Sequence, residues 1–174
     1  NTLIGWSSGY ENSSGNYGLT TGDKNTAVGY ESFGASAAAN ITGNENVAIG
    51  YHALYDTQGA ANSNTAIGSE AMEDSTVASE NTAVGLGALN KETVGNRSVA
   101  FGYGALYYQI HGSTNGETGN TALGFQAGYK NVTGANNTYV GSRAGEGATD
   151  QSNSNNTAVG KDAMKVVTDG GNNV

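Results

Sequence analysis

The sequence contains neither cysteine nor proline. Without cysteine, disulfides and thiolate metal sites are excluded, while the redox compartment stays open. Without proline, and without glycine at every third position, a collagen-type triple helix is excluded as well. Charge is sparse. Only 13% of the 174 residues are charged, and seven Lys and Arg stand against fifteen Asp and Glu, a formal net charge of −8. The seven cations are scattered from Lys24 to Lys165. Phosphate recognition needs clustered cations, so nucleic acid is not an expected partner. No apolar run approaches the ~18–20 residues of a spanning helix and no signal-peptide pattern opens the chain, so no membrane insertion is expected.

Glycine is abundant instead. The 28 glycines make up about 16% of the chain, more than twice the roughly 7% of average usage. Hydrophobic residues are 36%, an ordinary apolar share once glycine is counted with them, but one built from small side chains. A large conventional core of Leu, Ile and Phe is not expected. The length suits one ordinary domain or one short repeat array.

A nine-fold repeat decides between these. The segments 1–5, 25–29, 46–50, 64–68, 81–85, 98–102, 120–124, 137–141 and 156–160 share one pattern. It reads Asn, then Thr or Val, usually Ala, a branched or aromatic apolar residue, and Gly. The closing glycines are Gly5, Gly29, Gly50, Gly68, Gly85, Gly102, Gly124, Gly141 and Gly160, spaced 24, 21, 18, 17, 17, 22, 17 and 19 residues apart. Seventeen is the basic unit, lengthened in some copies. The residue before glycine (Ile4, Val28, Ile49, Ile67, Val84, Phe101, Leu123, Val140, Val159) is always apolar and mostly β-branched, which suits a strand. Alternation puts it on one face with the Thr/Val column two residues earlier, and that face is expected to be the packed one. The opposite face carries Ala and Gly, bare enough for another backbone or sheet to approach closely. A second small column follows three residues past the glycine (Ser8, Ser32, Ala53, Ala71, Ala88, Ala105, Ala127, Ala144, Ala163), often followed by a large apolar residue. Each unit is therefore expected to hold a strand of about four residues, a bend at glycine, a second short extended segment and a polar return.

A glycine in every unit, each costing roughly 1 kcal/mol in a helix interior, argues against helix. Helical repeat families also have units about twice as long. The expectation is an all-β parallel β-solenoid or β-roll of about nine turns, a single array over residues 1–174. Ordering 17 backbone residues costs roughly 17–34 kcal/mol per turn. Each buried large apolar side chain returns only about 1.5–3 kcal/mol. Hydrogen bonds between turns must supply part of the difference, and isolated units are unstable. Close packing of identical chains on the bare Ala/Gly face is a further expected source, and a trimer is the expected assembly. Asn1 opens a unit and Asn173-Val174 resembles the start of a tenth, so the chain reads as a segment of a longer fibre.

The motif Asn25-Thr26-Ala27-Val28-Gly29-Tyr30, with close copies at 46–51, 64–69, 81–86 and 120–125, and the segment Ser98-Val99-Ala100-Phe101-Gly102 resemble two related groups. One is the head repeat of trimeric autotransporter adhesins, with Ser-Val-Ala-Ile-Gly strands in a left-handed parallel β-roll of three intertwined subunits. The other is the Asn-Thr-Ala-x-Gly-Tyr-x-Ala-Leu repeat of phage tail fibres and related surface fibres. The second is closer, since Gly50-Tyr51-His52-Ala53-Leu54 and Gly102-Tyr103-Gly104-Ala105-Leu106 match its full form. The resemblance covers essentially the whole chain. It implies an intertwined homotrimer and an extracellular, cell-surface or virion-surface fibre that presents or contacts a receptor. A self-assembling filament or sheath, and an ice-binding or glycan-binding solenoid, are the alternatives. The units here are longer and less regular than in the adhesin heads.

Catalytic chemistry has little support, so no enzyme activity, cofactor or metal is expected. His52 fills a variable position after a repeat glycine and reads as a solvated filler. His111 lies in an inserted loop, and a lone histidine is no metal site. Gly85-Leu86-Gly87 and Gly145-Glu146-Gly147 fall short of a phosphate loop. The acids Glu70, Glu73 and Asp74 lack the alternating ligand spacing of a calcium loop and read as a charged turn. Trp6, Tyr30, Tyr51, Tyr103 and Phe125 follow repeat glycines and are expected to form an aromatic ladder. Insertions on a rigid scaffold are the better recognition candidates. In the loop of residues 107–119, Tyr107, Tyr108 and His111 are possible receptor contacts, for example to a cell-surface glycan. The loop from Ser7 to Lys24 contributes Tyr10 and Tyr17. The Thr column suggests ice binding, but Val47 and Val99 interrupt it and its alternation places it on the packed face. Asn-x-Ser/Thr triplets at Asn12, Asn40, Asn96, Asn131, Asn136 and Asn155 are expected from composition alone.

Overall fold

The computed structural model describes residues 1–10, 21–35, 40–111, 116–147, 153–166 and 170–174. Each repeat pentad holds a three-residue strand: β1 Thr2–Ile4, β2 Thr26–Val28, β3 Val47–Ile49, β4 Thr65–Ile67, β5 Thr82–Val84, β6 Val99–Phe101, β7 Thr121–Leu123, β8 Thr138–Val140 and β9 Thr157–Val159. All nine form one parallel sheet in sequence order. Every step pairs equivalent repeat positions, as in Thr65↔Thr82, Ala66↔Ala83 and Ile67↔Val84. The chain is a parallel β-solenoid with one unit per rung. Parallel neighbours lie about 4.8 Å apart, so the nine strands span about 38 Å.

The repeat glycines close each strand where successive rungs almost touch. A Cβ on Gly68 would sit 2.6 Å from the carbonyl oxygen of Gly85, and the Gly68 φ of +134° is one that side chains rarely adopt. The chain then coils through a tight bend, and among the described residues no second strand follows it. Residues two and four past the glycine take the left-handed conformation, for example His52 (φ 52°) and Leu54 (φ 54°). Alternating handedness of this kind turns the large residue at the fourth position inward. Phe33, Leu54, Met72, Leu89 and Leu106 are all completely buried.

The two strand faces are the reverse of the sequence expectation. Ala27, Ala48, Ala66, Ala83, Ala100 and Ala122 point inward with no exposed surface. The Thr/Val and apolar columns flank them and face outward. The reason is the width of the interior. The strand alanines share their core with the second small column (Ala53, Ala71, Ala88, Ala105, Ala127, Ala144) and the large residue beside it. A rung of this length leaves no room for Ile or Val on the inner strand face as well. Close backbone approach at glycine does occur, but between successive rungs of one chain.

From Asn25 onward, the first residue of each pentad is buried and polar. The Oδ1 of Asn25 accepts the Asn46 N–H at 2.8 Å, Asn46 accepts from Asn64 at 2.9 Å, and Asn64 accepts from Asn81 at 3.0 Å. Each Nδ2 donates to a carbonyl of the returning segment, such as Asn64 to Ala78 at 2.8 Å. The column thus satisfies backbone groups that a buried coil would strand. At Ser98 the shorter side chain accepts the Asn120 N–H at a longer 3.4 Å, and Gln109 fills the space beside it. Its Nε2 donates to Ser98 Oγ (3.0 Å) and to the buried Glu92 carboxylate (2.7 Å), and its Oε1 accepts from Asn120 Nδ2 (2.7 Å).

Candidate functional site

With alanine inside, the outer strand face displays two parallel columns along the whole array. One is Thr2, Thr26, Val47, Thr65, Thr82, Val99, Thr121, Thr138 and Thr157. The other is Ile4, Val28, Ile49, Ile67, Val84, Phe101, Leu123, Val140 and Val159. Neither holds a charged residue, although the protein carries a net charge of −8. Ile4, Ile49, Ile67, Phe101, Leu123 and Val159 all count as exposed large hydrophobic residues. A continuous apolar strip of this extent is the mark of an interaction surface.

Past the glycine bend comes the row of Trp6, Tyr30, Tyr51, Ser69, Leu86, Tyr103, Phe125, Ser142 and Lys161. The expected aromatic ladder is broken into pairs. Tyr30 and Tyr51 lie at 5.7 Å between ring centroids with planes 14° apart, and Tyr103 and Phe125 at 5.3 Å with 12°. The Glu31 carboxylate beside Tyr30 holds its phenol above the ordinary range.

His52 is not a solvated filler. Its Nε2 lies 2.9 Å from Glu31 Oε2 and its Nδ1 3.0 Å from Glu73 Oε1. Its ring is stacked between Tyr51 (3.9 Å) and Tyr55 (4.2 Å). Two acids of the charged turn are engaged with neighbours: Glu73 also accepts from Asn90 Nδ2 at 3.1 Å, and Asp74 accepts from Lys91 Nζ at 2.8 Å. That bond is the main reason the Lys91 ammonium is held above its ordinary range. Among the described residues no group of three or more His, Asp or Glu is placed to hold a metal ion, and no helix is long and apolar enough to cross a membrane.

The candidate receptor contacts separate. Tyr107 and Tyr108 join Tyr129, a residue not singled out in the sequence, in a cluster with centroids 4.8–5.4 Å apart. Burial raises the phenols of Tyr107 and Tyr129. His111 turns elsewhere: its backbone N–H donates to Glu92 Oε1 at 3.3 Å, and a side chain on Gly116 would strike its imidazole. Tyr10 is exposed; Tyr17 and Asn12 lie outside the described residues. Asn131 is buried, which removes it as a glycosylation acceptor. Comparison with protein families, with curated proteins and with solved structures finds no match; the fold itself is consistent with fibre- and adhesin-type repeat folds.

Proposed function

We propose that this chain is a stiff segment of an extracellular or virion-surface fibre, assembled as a homotrimer through the outer strand face and serving attachment. The uncharged strip of Thr, Val, Ile, Leu and Phe carries this reading: on an acidic chain, nine consecutive outward-facing rungs without a charge mark an interaction surface. Identical rungs at one spacing make the strip complementary to copies of itself in parallel register, and burying it adds stabilisation that a single narrow core lacks. The role is mechanical: a rigid rod displays several copies of a weak contact and converts them into avidity.

Sedimentation equilibrium tests it. At micromolar concentration the expected mass is three times the 17.5 kDa chain, and Ile67→Glu with Val84→Glu should reduce it to the monomer mass while the β-sheet signature persists. A stable monomeric wild-type chain would overturn the reading.

The outward Thr column gives ice binding a second hearing. It is disfavoured because Val47 and Val99 interrupt the column and Phe101 and Leu123 project beside it, spoiling a flat lattice match. Thermal hysteresis at millimolar protein would revive it.

A further inference from the structure

We propose that Tyr30 and Tyr51, with His52 behind them, form a stacking platform for a neutral oligosaccharide. The proposal goes beyond the fibre reading, because the platform lies past the bends at Gly29 and Gly50 rather than on the outer strand face.

The orientation of the rings follows from His52. Glu31 belongs to the rung before it and Glu73 to the rung after it, and the two carboxylates meet opposite nitrogens of the imidazole at 2.9 and 3.0 Å. The imidazole plane therefore contains the stacking direction of the rod. Tyr51 lies within 13° of that plane at 3.9 Å, and Tyr55 covers the other imidazole face at 4.2 Å and 8°. Tyr51 thus has one face against His52 and the opposite one turned to solvent. Tyr30, one rung away, is within 14° of Tyr51. The two rings are tiles of one wall running along the rod, 46% and 47% exposed. Trp6, 74% exposed, extends the row by one rung. The Tyr107–Tyr108–Tyr129 cluster offers no such wall, since Tyr108 crosses its neighbours at 67° and 81°.

A wall of aromatic faces with polar edges matches a pyranose chain, which presents flat C–H faces edged by hydroxyl groups. Tyrosine supplies both an apolar body and a hydroxyl handle. Here the Tyr30 and Tyr51 hydroxyls and the Glu31 carboxylate can meet sugar hydroxyls. The neighbouring acids (Glu31, Glu70, Glu73 and Asp56) and the net charge of −8 select against anionic sugars. The ring positions are fixed before the ligand arrives, so little ordering is lost on binding.

The test titrates the intact chain with cellohexaose, chitohexaose, maltohexaose and mannohexaose by calorimetry, following the emission of Trp6, the sole tryptophan. At least one should bind. Tyr51→Ala should weaken it by about tenfold, and His52→Ala by several-fold with both tyrosines retained. Tyr108→Ala should bind as wild type, and polygalacturonate should bind less well than the neutral chains. If Tyr51→Ala is poorly folded, saturation transfer between ligand and the Tyr30 and Tyr51 ring protons of the unsubstituted protein decides. Absence of binding or of transfer, or binding that survives Tyr51→Ala, overturns the proposal. So does a change in assembly mass for folded Tyr51→Ala, which would mean that the ring packs against a second copy. Loss of the trimer with binding intact would sink only the fibre assembly.

Discussion

The Tyr139 ring occupies the space that a side chain on Gly145 would need; a Cβ there would strike the ring at Cδ1 and Cε1. Tyr139 stands where β2 to β7 carry inward alanine, and Gly145 where other rungs carry Leu54, Met72, Leu89 or Leu106. Gly128, one rung earlier, is likewise bare, with a Cβ position 2.7 Å from the same ring. The first rung makes the same exchange, since a Cβ on Gly9 would lie 2.8 Å from Leu3 Cδ1. Interior volume is kept while the side that supplies it changes, as close packing demands.

Tyr139→Ala should therefore cost about 3–5 kcal/mol, the usual range for emptying a large aromatic site. Adding Gly145→Leu should recover much of it. Gly145 has a φ of 58°, close to the 51–54° at which Leu54, Leu89 and Leu106 already sit. The check is a double-mutant cycle by chemical denaturation. Purely additive costs would refute the exchange.

Burial also raises the Tyr139 phenol, from its ordinary 10.0 to about 12. A group whose folded value is raised stabilises the fold below its unfolded value, and that stability is lost as pH rises through the folded one. Stability should thus fall between pH 10 and about 12 by roughly 2–3 kcal/mol, at 1.36 kcal/mol per unit. Tyr139→Phe should lose this component when denaturation midpoints are compared across the window. An unchanged alkaline slope in the variant would assign it to other groups.

The buried asparagine column predicts a different penalty. Asn64→Ala removes the acceptor of the Asn81 N–H and the donor to the Ala78 carbonyl, both buried. Each stranded group costs about 1–3 kcal/mol. A loss of at least about 2 kcal/mol is expected, with amide exchange accelerated first at residue 81. Because association adds to apparent stability, protein concentration must be held constant.

Much of the architecture was legible in the sequence. The recurring Asn-to-Gly pentads located all nine strands and their order, and the glycines marked the close approaches. Face orientation was not legible. Thr-x-Val beside Ala is compatible with either side of a strand, and hydrophobicity alone favours burying Val. Only the narrowness of the closed coil, with Ala53 or Ala71 on the inner side, turns the alanine inward. The role of Asn25 and its equivalents had a signal, a polar residue recurring beside apolar columns, but its partners lie a full rung away. His52 had none, because Glu31 and Glu73 are each 21 residues distant. The left-handed φ of Leu54 and Leu106 is equally silent, since neither is a residue type that favours it.

Two glycines allow two penalties to be separated. Gly85 and Gly59 both have left-handed φ values, +130° and +67°, so alanine at either meets backbone strain, of order 1–3 kcal/mol. Their surroundings differ. A Cβ on Gly85 would lie 2.5 Å from the Gly102 carbonyl oxygen, whereas on Gly59 its nearest neighbour is the Val77 Cγ1 at 3.8 Å. Gly59→Ala should cost the strain alone. Gly85→Ala should cost distinctly more, because neighbouring rungs must separate. Each rung is stabilised chiefly by the rungs next to it, so the damage should also divide the array: amide exchange should rise on both sides of residue 85 while the distal rungs stay protected. Equal destabilisation of the two variants would mean that the glycine column serves only its backbone angles, not the close approach of one coil to the next.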